Sequence, residues 1–221
     1  MYREYSRRLG QLLSGIVVTA VGIVMTLQAN VGLEPWSVLQ QGLTLTFGIT
    51  FGLASILVGT TVILIAVLCG ERIGAGTFIN IILCGVFMDG LLALGWLPKM
   101  TGLASGVVML LAGLEVLALG TWMYMRSALG SGPRDALMVA LARKTGRSVG
   151  LCRASVELAV FLAGWFLGGQ VGIGTLISAL GLGMLFNLNF ALLHFDAAAL
   201  HQEDIMETLR RLSRQRQESQ R

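Results

Sequence analysis

Charge is what the 221-residue chain has least of, with 13% of its residues Asp, Glu, Lys or Arg, where a soluble domain carries about a quarter. So little charge cannot cover a water-facing surface, which excludes a conventional cytosolic enzyme and a disordered chain. Proline is scarce, with 3 residues, and cysteine and histidine number 3 and 2. Cys69, Cys84 and Cys152 lie in or beside apolar stretches without paired metal-ligand spacing. They read as small buried hydrophobes, and a disulfide scaffold is excluded. His194 and His201 lie at or beyond the last apolar run. None is left at membrane depth to activate a nucleophile, hold a haem or complete a zinc triad. With no Gly-x-Ser-x-Gly either, the expectation is a protein that is not an enzyme and holds no cofactor or metal.

What the chain has in excess is apolar surface. Hydrophobic residues make up 55%, glycines number 29, and the mean hydropathy is +0.76. A membrane core about 30 Å thick takes roughly twenty helical residues. Leu9–Gln28, Gly52–Cys69, Thr77–Leu97, Leu103–Met125, Val149–Leu167 and Ile173–Leu193 meet or approach that length. Pro35–Phe47 and Pro133–Lys144 do not, since at about 1.5 Å per residue each covers roughly 18 to 20 Å. The basic start, Met1 to Arg8, leads into a run too long for a cleaved signal, so the first span reads as retained.

Six spans make a charge prediction. With the N-terminus in the cytoplasm, every one of the 16 Lys and Arg residues except Lys99 falls on the cytoplasmic side, a clean case of the positive-inside rule. Counting the two short stretches as spans would turn the block Arg126–Arg153 outward. The net charge of +4 lies beside apolar spans rather than on one polar face, so nucleic acid is not an expected partner.

Shifted by 98 residues, the sequence matches itself. Gly15 meets Gly113, Gly22 meets Gly120, Gly32 meets Gly130, Pro35 meets Pro133, and Gly74-Ala75-Gly76-Thr77 meets Gly172-Ile173-Gly174-Thr175. A repeat with three spans is odd, so the second copy enters from the opposite side. The expected fold is all-α: a polytopic transmembrane bundle of about six spans in two inverted three-helix repeats with short Pro-initiated helices. Its parts are a basic cytoplasmic N-terminus over 1–8, repeats over 9–97 and 98–195, and a cytoplasmic amphipathic tail over 196–221. Inverted repeats recur in secondary transporters, with the site near mid-membrane between the halves. The Gly-x-Gly-Thr pieces do not complete a phosphate-binding loop, because neither follows a strand or ends in Gly-Lys-Ser/Thr.

Polar residues inside apolar spans supply the site candidates, because charge at that depth is costly. Glu115 is near mid-span with no cation within a turn; it either carries substrate or a proton, or makes an interhelical bond. Glu157 has Arg153 four residues earlier, a spacing suited to a local pair. Asp89 and Asn187 are repeat partners, as are Asn80 and Ser178; Asn80 and Asn187 either line the inter-repeat surface or bind helix to helix. The segments at Pro35 and Pro133 fit helix starts whose free N–H groups receive an anion. Arg134 beside Asp135 fits instead a lock on the cytoplasmic loop, and the basic cluster Arg143, Lys144 and Arg147 fits lipid headgroup contact. Trp36 reads as an interfacial anchor or a stacking platform. Glu34 and Ser37 complete the first motif.

Gly32-Leu33-Glu34-Pro35-Trp36-Ser37, Gly76-Thr77-Phe78-Ile79-Asn80 with Gly85 and Asp89, and Gly132-Pro133-Arg134-Asp135 together resemble the motifs of the bacterial YczE/YyaS/YitT membrane-protein family, in particular its YczE-like branch. The position after Pro35-Trp36, often Asp in such proteins, is Ser37 here. The resemblance implies an integral membrane protein. The functional expectation is a small-solute secondary transporter for a polar or anionic metabolite, working by alternating access in the bacterial inner membrane with both termini cytoplasmic. Its partners would be the lipid bilayer and a small-molecule solute, with a homo-oligomer left open. The alternative is a non-transporting membrane partner or scaffold for another complex.

Overall fold

The computed structural model describes residues 2–71, 73–130 and 132–195, with the side chains of Tyr2, Arg3 and Asp135 left out. The tail expected over 196–221 lies outside them. The described residues form eight helices and no strand: α1 (Tyr2–Gln28), α2 (Pro35–Phe47), α3 (Phe51–Leu68), α4 (Ala75–Leu94), α5 (Leu103–Met125), α6 (Pro133–Thr145), α7 (Val149–Phe166) and α8 (Ile173–Leu192). Six are long and apolar enough to cross a membrane, and α2 and α6, at 13 residues each, are not. Their outward faces carry large apolar side chains such as Leu68, Phe166 and Met184. Such a perimeter suits lipid, where backbone polar groups must be satisfied inside each helix.

Local chemistry sets the helix ends. Pro35 and Pro133 occupy first turns, where a missing N–H costs nothing, and Gly48 and Gly146 end those helices in left-handed conformation at φ 66° and 68°. Thr50 and Ser148 cap α3 and α7 by accepting from the N–H of Leu53 and Leu151. Helix α1 starts earlier than its apolar run because Glu4 and Arg8 pair along it at 3.2 Å. Helix α4 stops sooner than the run at Thr77–Leu97, at left-handed Gly95.

The offset of 98 residues carries into three dimensions. Helices α6, α7 and α8 start and end 98 positions after α2, α3 and α4. The α1–α5 seam shows how the copies are related. Gly15 lies against Tyr124, Gly120 against Thr19, Gly22 against Leu117, Gly113 against Thr26, and Gly106 against Ala29. Numbers rise on one helix as they fall on the other, so equivalent helices run antiparallel. Four of these contacts form two mirrored pairs: Gly22 on Leu117 becomes Gly120 on Thr19 after the shift, and Gly15 on Tyr124 becomes Gly113 on Thr26. The copies are therefore related by a two-fold axis across the helices, which is inversion.

The loops cross between the copies. Gly174 N–H donates to Val31 carbonyl at 2.8 Å, and Gly76 N–H donates to Leu129 carbonyl at 2.9 Å. The Gly-x-Gly-Thr pieces thus hold the loop ahead of the other copy's short helix. Gly32 and Gly130, at φ 114° and 145°, make those loops turn as few other residues could.

A Cβ at Gly120 would sit 2.5 Å from Thr19 N, whereas one at Gly90 meets nothing within 4 Å. Gly120→Val should lower stability in detergent by about 2 to 3 kcal/mol, and Gly90→Val should stay within about 0.5 kcal/mol of wild type. Thermal unfolding of the two purified variants checks this.

Candidate functional site

The short helices aim their N-termini at each other. At its C-terminal end α2 is tied to the end of α7, with Thr46 Oγ1 donating to Leu167 carbonyl at 3.2 Å and Gln170 N–H donating to Gln41 Oε1 at 2.6 Å. The C-terminal end of α6 is tied instead near the end of α3, where Arg143 Nη2 donates to Gly70 carbonyl at 3.0 Å and to Glu71 Oε2 at 2.8 Å. Inversion places those two ends on opposite sides of the bundle, so the helix starts face inward.

Where they meet, Arg134 Nη1 donates to both Glu34 oxygens, at 3.1 and 3.2 Å. Ser37 Oγ donates to Glu34 Oε1 at 3.1 Å. The guanidinium lies 5.0 Å from the centre of the Trp36 ring, within cation–π range. Glu34, Trp36 and Ser37 are at most 5% exposed. Trp36 is therefore no interfacial anchor; it is a buried plate under an arginine, because its helix turns inward instead of lying at the surface.

This ion pair lines a cavity of about 140 Å³ between the repeats. Arg153 and Glu157 also line it, paired at 2.9 Å along α7 as their spacing predicts. Three lining polar atoms are buried and have no hydrogen-bond partner among the described residues: Thr19 Oγ1, Gln40 Oε1 and Asn80 Nδ2. The other end of Gln40 is used, its Nε2 donating to Ser55 Oγ at 3.2 Å. A native interior leaves few such atoms, and three in one cavity mark a place built to receive hydrogen bonds. An adjoining groove of about 450 Å³, lined by Ser178, Asn187 and Phe190, shares Glu34, Arg153 and Glu157 with the cavity.

Symmetry fails at one place. In the first repeat Gly52 and Gly85 bring α3 and α4 into backbone contact. Asp89 fastens them, accepting from Gly52 N–H at 2.7 Å and from Thr50 Oγ1. The equivalents in the second repeat are Gly150, Gly183, Asn187 and Ser148. A Cβ at Gly150 or Gly183 would meet nothing within 4 Å, and the groove runs along this part of α8. One half is zipped and the other open.

Of the residues singled out by sequence, the structure gathers Glu34, Trp36, Asn80, Pro133, Arg134 and Glu157 around the cavity, and Pro35 and Asn187 along the groove. Ser37 supports Glu34 from behind. Asp89 holds the α3–α4 latch at a distance from the ion pair. Glu115 is half-buried, lines neither space, and has no hydrogen-bond or ion-pair partner among the described residues. The side chain of Asp135 lies outside what is described. Thr19, Gln40 and Ser55 escaped the sequence reading; the available signal was a polar side chain within an otherwise apolar stretch. Among the described residues, no group of three His, Cys, Asp or Glu side chains could hold a metal ion.

The family described as "Family of unknown function (DUF6198)" matches residues 6–190. An uncharacterized protein of Haemophilus influenzae is 33% identical over 172 residues, covering 78% of each chain. The uncharacterized membrane protein YczE of Bacillus subtilis is 31% identical over 180 residues, or 80% of this chain and 82% of that one. The uncharacterized protein YyaS of Bacillus subtilis is 26% identical over 180 residues, with 79% and 88% covered. No solved structure matches the chain.

Breaking a buried ion pair strands its partner, at a cost of about 3 to 5 kcal/mol. Glu34→Gln and Arg134→Gln should each destabilise the protein by an amount near the lower figure, because Arg134 retains partial exposure. The double variant should lose clearly less than the sum. A double-mutant cycle of unfolding in detergent measures the coupling, and additive losses would contradict it.

Proposed function

The chain belongs to the DUF6198 family of multi-pass membrane proteins, and we propose that it is a secondary transporter of a small polar solute working by alternating access between its two inverted repeats. The observation that carries this reading is the unequal state of two equivalent helix pairs. With α3 and α4 zipped and α7 and α8 apart, a cavity between the repeats that holds two ion pairs joins a groove at one end of the bundle. If the repeats exchange conformations, Asn187 closes on Ser148 and Gly150 while Asp89 releases Thr50 and Gly52, and the opening moves to the other end. Inversion supplies two such states from one architecture.

The latches differ in strength. Asp89 accepts as a carboxylate, and charge-assisted bonds are roughly twice as strong as neutral ones; Asn187 would accept as an amide. The bias is toward the state with the Asp89 end sealed. With basic residues on the cytoplasmic side, that end faces outward and the groove opens to the cytoplasm.

Cysteine pairs test the exchange after the native cysteines are replaced. Thr50→Cys with Asp89→Cys should cross-link readily, and Ser148→Cys with Asn187→Cys should cross-link in a minority of molecules at any moment. In proteoliposomes supplied with an isotope-labelled pool of small metabolites, either cross-link should abolish uptake and a reductant should restore it. Uptake indifferent to both cross-links would sink the transport reading. So would absence of uptake combined with loss of a co-purifying complex on removal of 200–221, which is what a scaffold predicts. For orientation, Gly102→Cys should react with an impermeant reagent from outside, and Arg147→Cys should not.

A further inference from the structure

The charges around the cavity cancel, and that restricts what can enter. Glu34 and Glu157 face Arg134 and Arg153, as two pairs already bonded at 3.1 and 2.9 Å. An anion that takes the Arg134 guanidinium must displace Glu34 and leave a carboxylate, only 5% exposed, without its partner. A cation that takes Glu34 removes the carboxylate from Arg134, at a smaller cost because Arg134 is a third exposed. Stranding a buried charge is the costly outcome. A molecule with one end of each sign opens the pair without stranding either half, since its carboxylate replaces Glu34 and its ammonium replaces Arg134.

The unpartnered atoms have the same two-sided character. Asn80 Nδ2 can only donate, Gln40 Oε1 can only accept, and Thr19 Oγ1 can do either. Gln40 and Thr19 are more than nine-tenths buried. Trp36 under the guanidinium holds Arg134 in place when its carboxylate partner changes. Size adds a guide: the cavity is about 140 Å³ and opens to the adjoining groove, and a cavity of about 150 Å³ holds a benzene molecule, so a solute of about six to eight non-hydrogen atoms fits within it.

From this we infer that the site binds a compact zwitterion whose cationic and anionic groups lie a few bonds apart. The carboxylate sits on Arg134 and Asn80 Nδ2, and the ammonium sits on Glu34 and Gln40 Oε1. The inference rests on the transport reading for its biological sense, but binding tests it separately.

The experiment uses the full chain in detergent and probes sharing one small skeleton. These are alanine as zwitterion, propionate as anion, isopropylammonium as cation and lactamide as the neutral form, with glycine and β-alanine as further zwitterions. Thermal protection and equilibrium dialysis of labelled probes are read. At least one zwitterion should bind and raise the unfolding temperature, while its single-charge and neutral analogues bind at least about tenfold more weakly. Glu34→Gln should weaken that zwitterion by about tenfold or more. Should Glu34→Gln fail to fold, Asn80→Ala gives the second measurement. It removes an unsatisfied buried donor, so it should leave the unfolding temperature equal or higher while weakening the zwitterion.

Propionate or isopropylammonium binding as well as alanine, lactamide binding with no response to Glu34→Gln, or no protection by any of the three zwitterions would each overturn the inference. Failure here is distinct from failure of transport. Cross-link-sensitive uptake of an anion or a neutral solute keeps the transporter and removes the zwitterion, whereas zwitterion binding without cross-link-sensitive uptake does the reverse.

Discussion

Everything in this bundle hangs on the contact of α1 with α5, backbone against backbone. In lipid no hydrophobic force pushes one apolar helix onto another, so association depends on close packing and on polar bonds between helices. Gly15 and Gly22 on one helix and Gly113 and Gly120 on the other remove the side chains that would hold the backbones apart. Because each contact recurs with the roles of the helices exchanged, the seam fixes the inversion of the repeats. That inversion brings the start of α2 to face the start of α6 and carries each loop onto the other copy. A side chain at any of these glycines would disturb the whole arrangement.

The second constraint is electrostatic. A carboxylate within the bundle needs a partner, and Glu34 finds three donor contacts, two from Arg134 and one from Ser37. The arrangement is polar enough to hold charge at depth but leaves Thr19, Gln40 and Asn80 with unused hydrogen-bonding capacity. A purely structural core gains nothing from three such atoms around one space, since an apolar replacement of the same shape would remove their desolvation cost. They make sense as the part of the interior that is completed from outside the protein.

The architecture was legible to a large degree because it is written in periodic features. Span lengths, the matched prolines and the constant offset of 98 yield six spanning helices, two half-length ones and their inversion, and Pro35 and Pro133 mark the helix starts to the residue. The motif resemblance held as well, and the YczE-like motifs supply both members of the central ion pair. Their partnership was not legible, since Glu34 and Arg134 are 100 positions apart and the nearest charge to Arg134 in sequence is Asp135. Glu115 drew notice as an isolated charge in an apolar run, but sequence carries no information on which side of α5 meets the cavity. The unequal state of the two helix pairs is harder to read, because the repeats place equivalent positions at both latches and differ there only in Asp89 against Asn187 and Thr50 against Ser148.

The seam also sets the order in which the molecule can come into being. Helix α1 is synthesised ahead of the other helices described, yet the helix it packs on most closely begins at Leu103. Glu34 is likewise made long before Arg134. Contacts this distant in sequence close late, so the first repeat enters the bilayer with its glycine face uncovered and its carboxylate without the intended cation. Insertion of the growing chain therefore passes through a stage at which the α3–α4 latch can form but the seam and the central ion pair cannot. The seam that fixes the inversion, and the cation that completes the carboxylate, both arrive only with the second repeat.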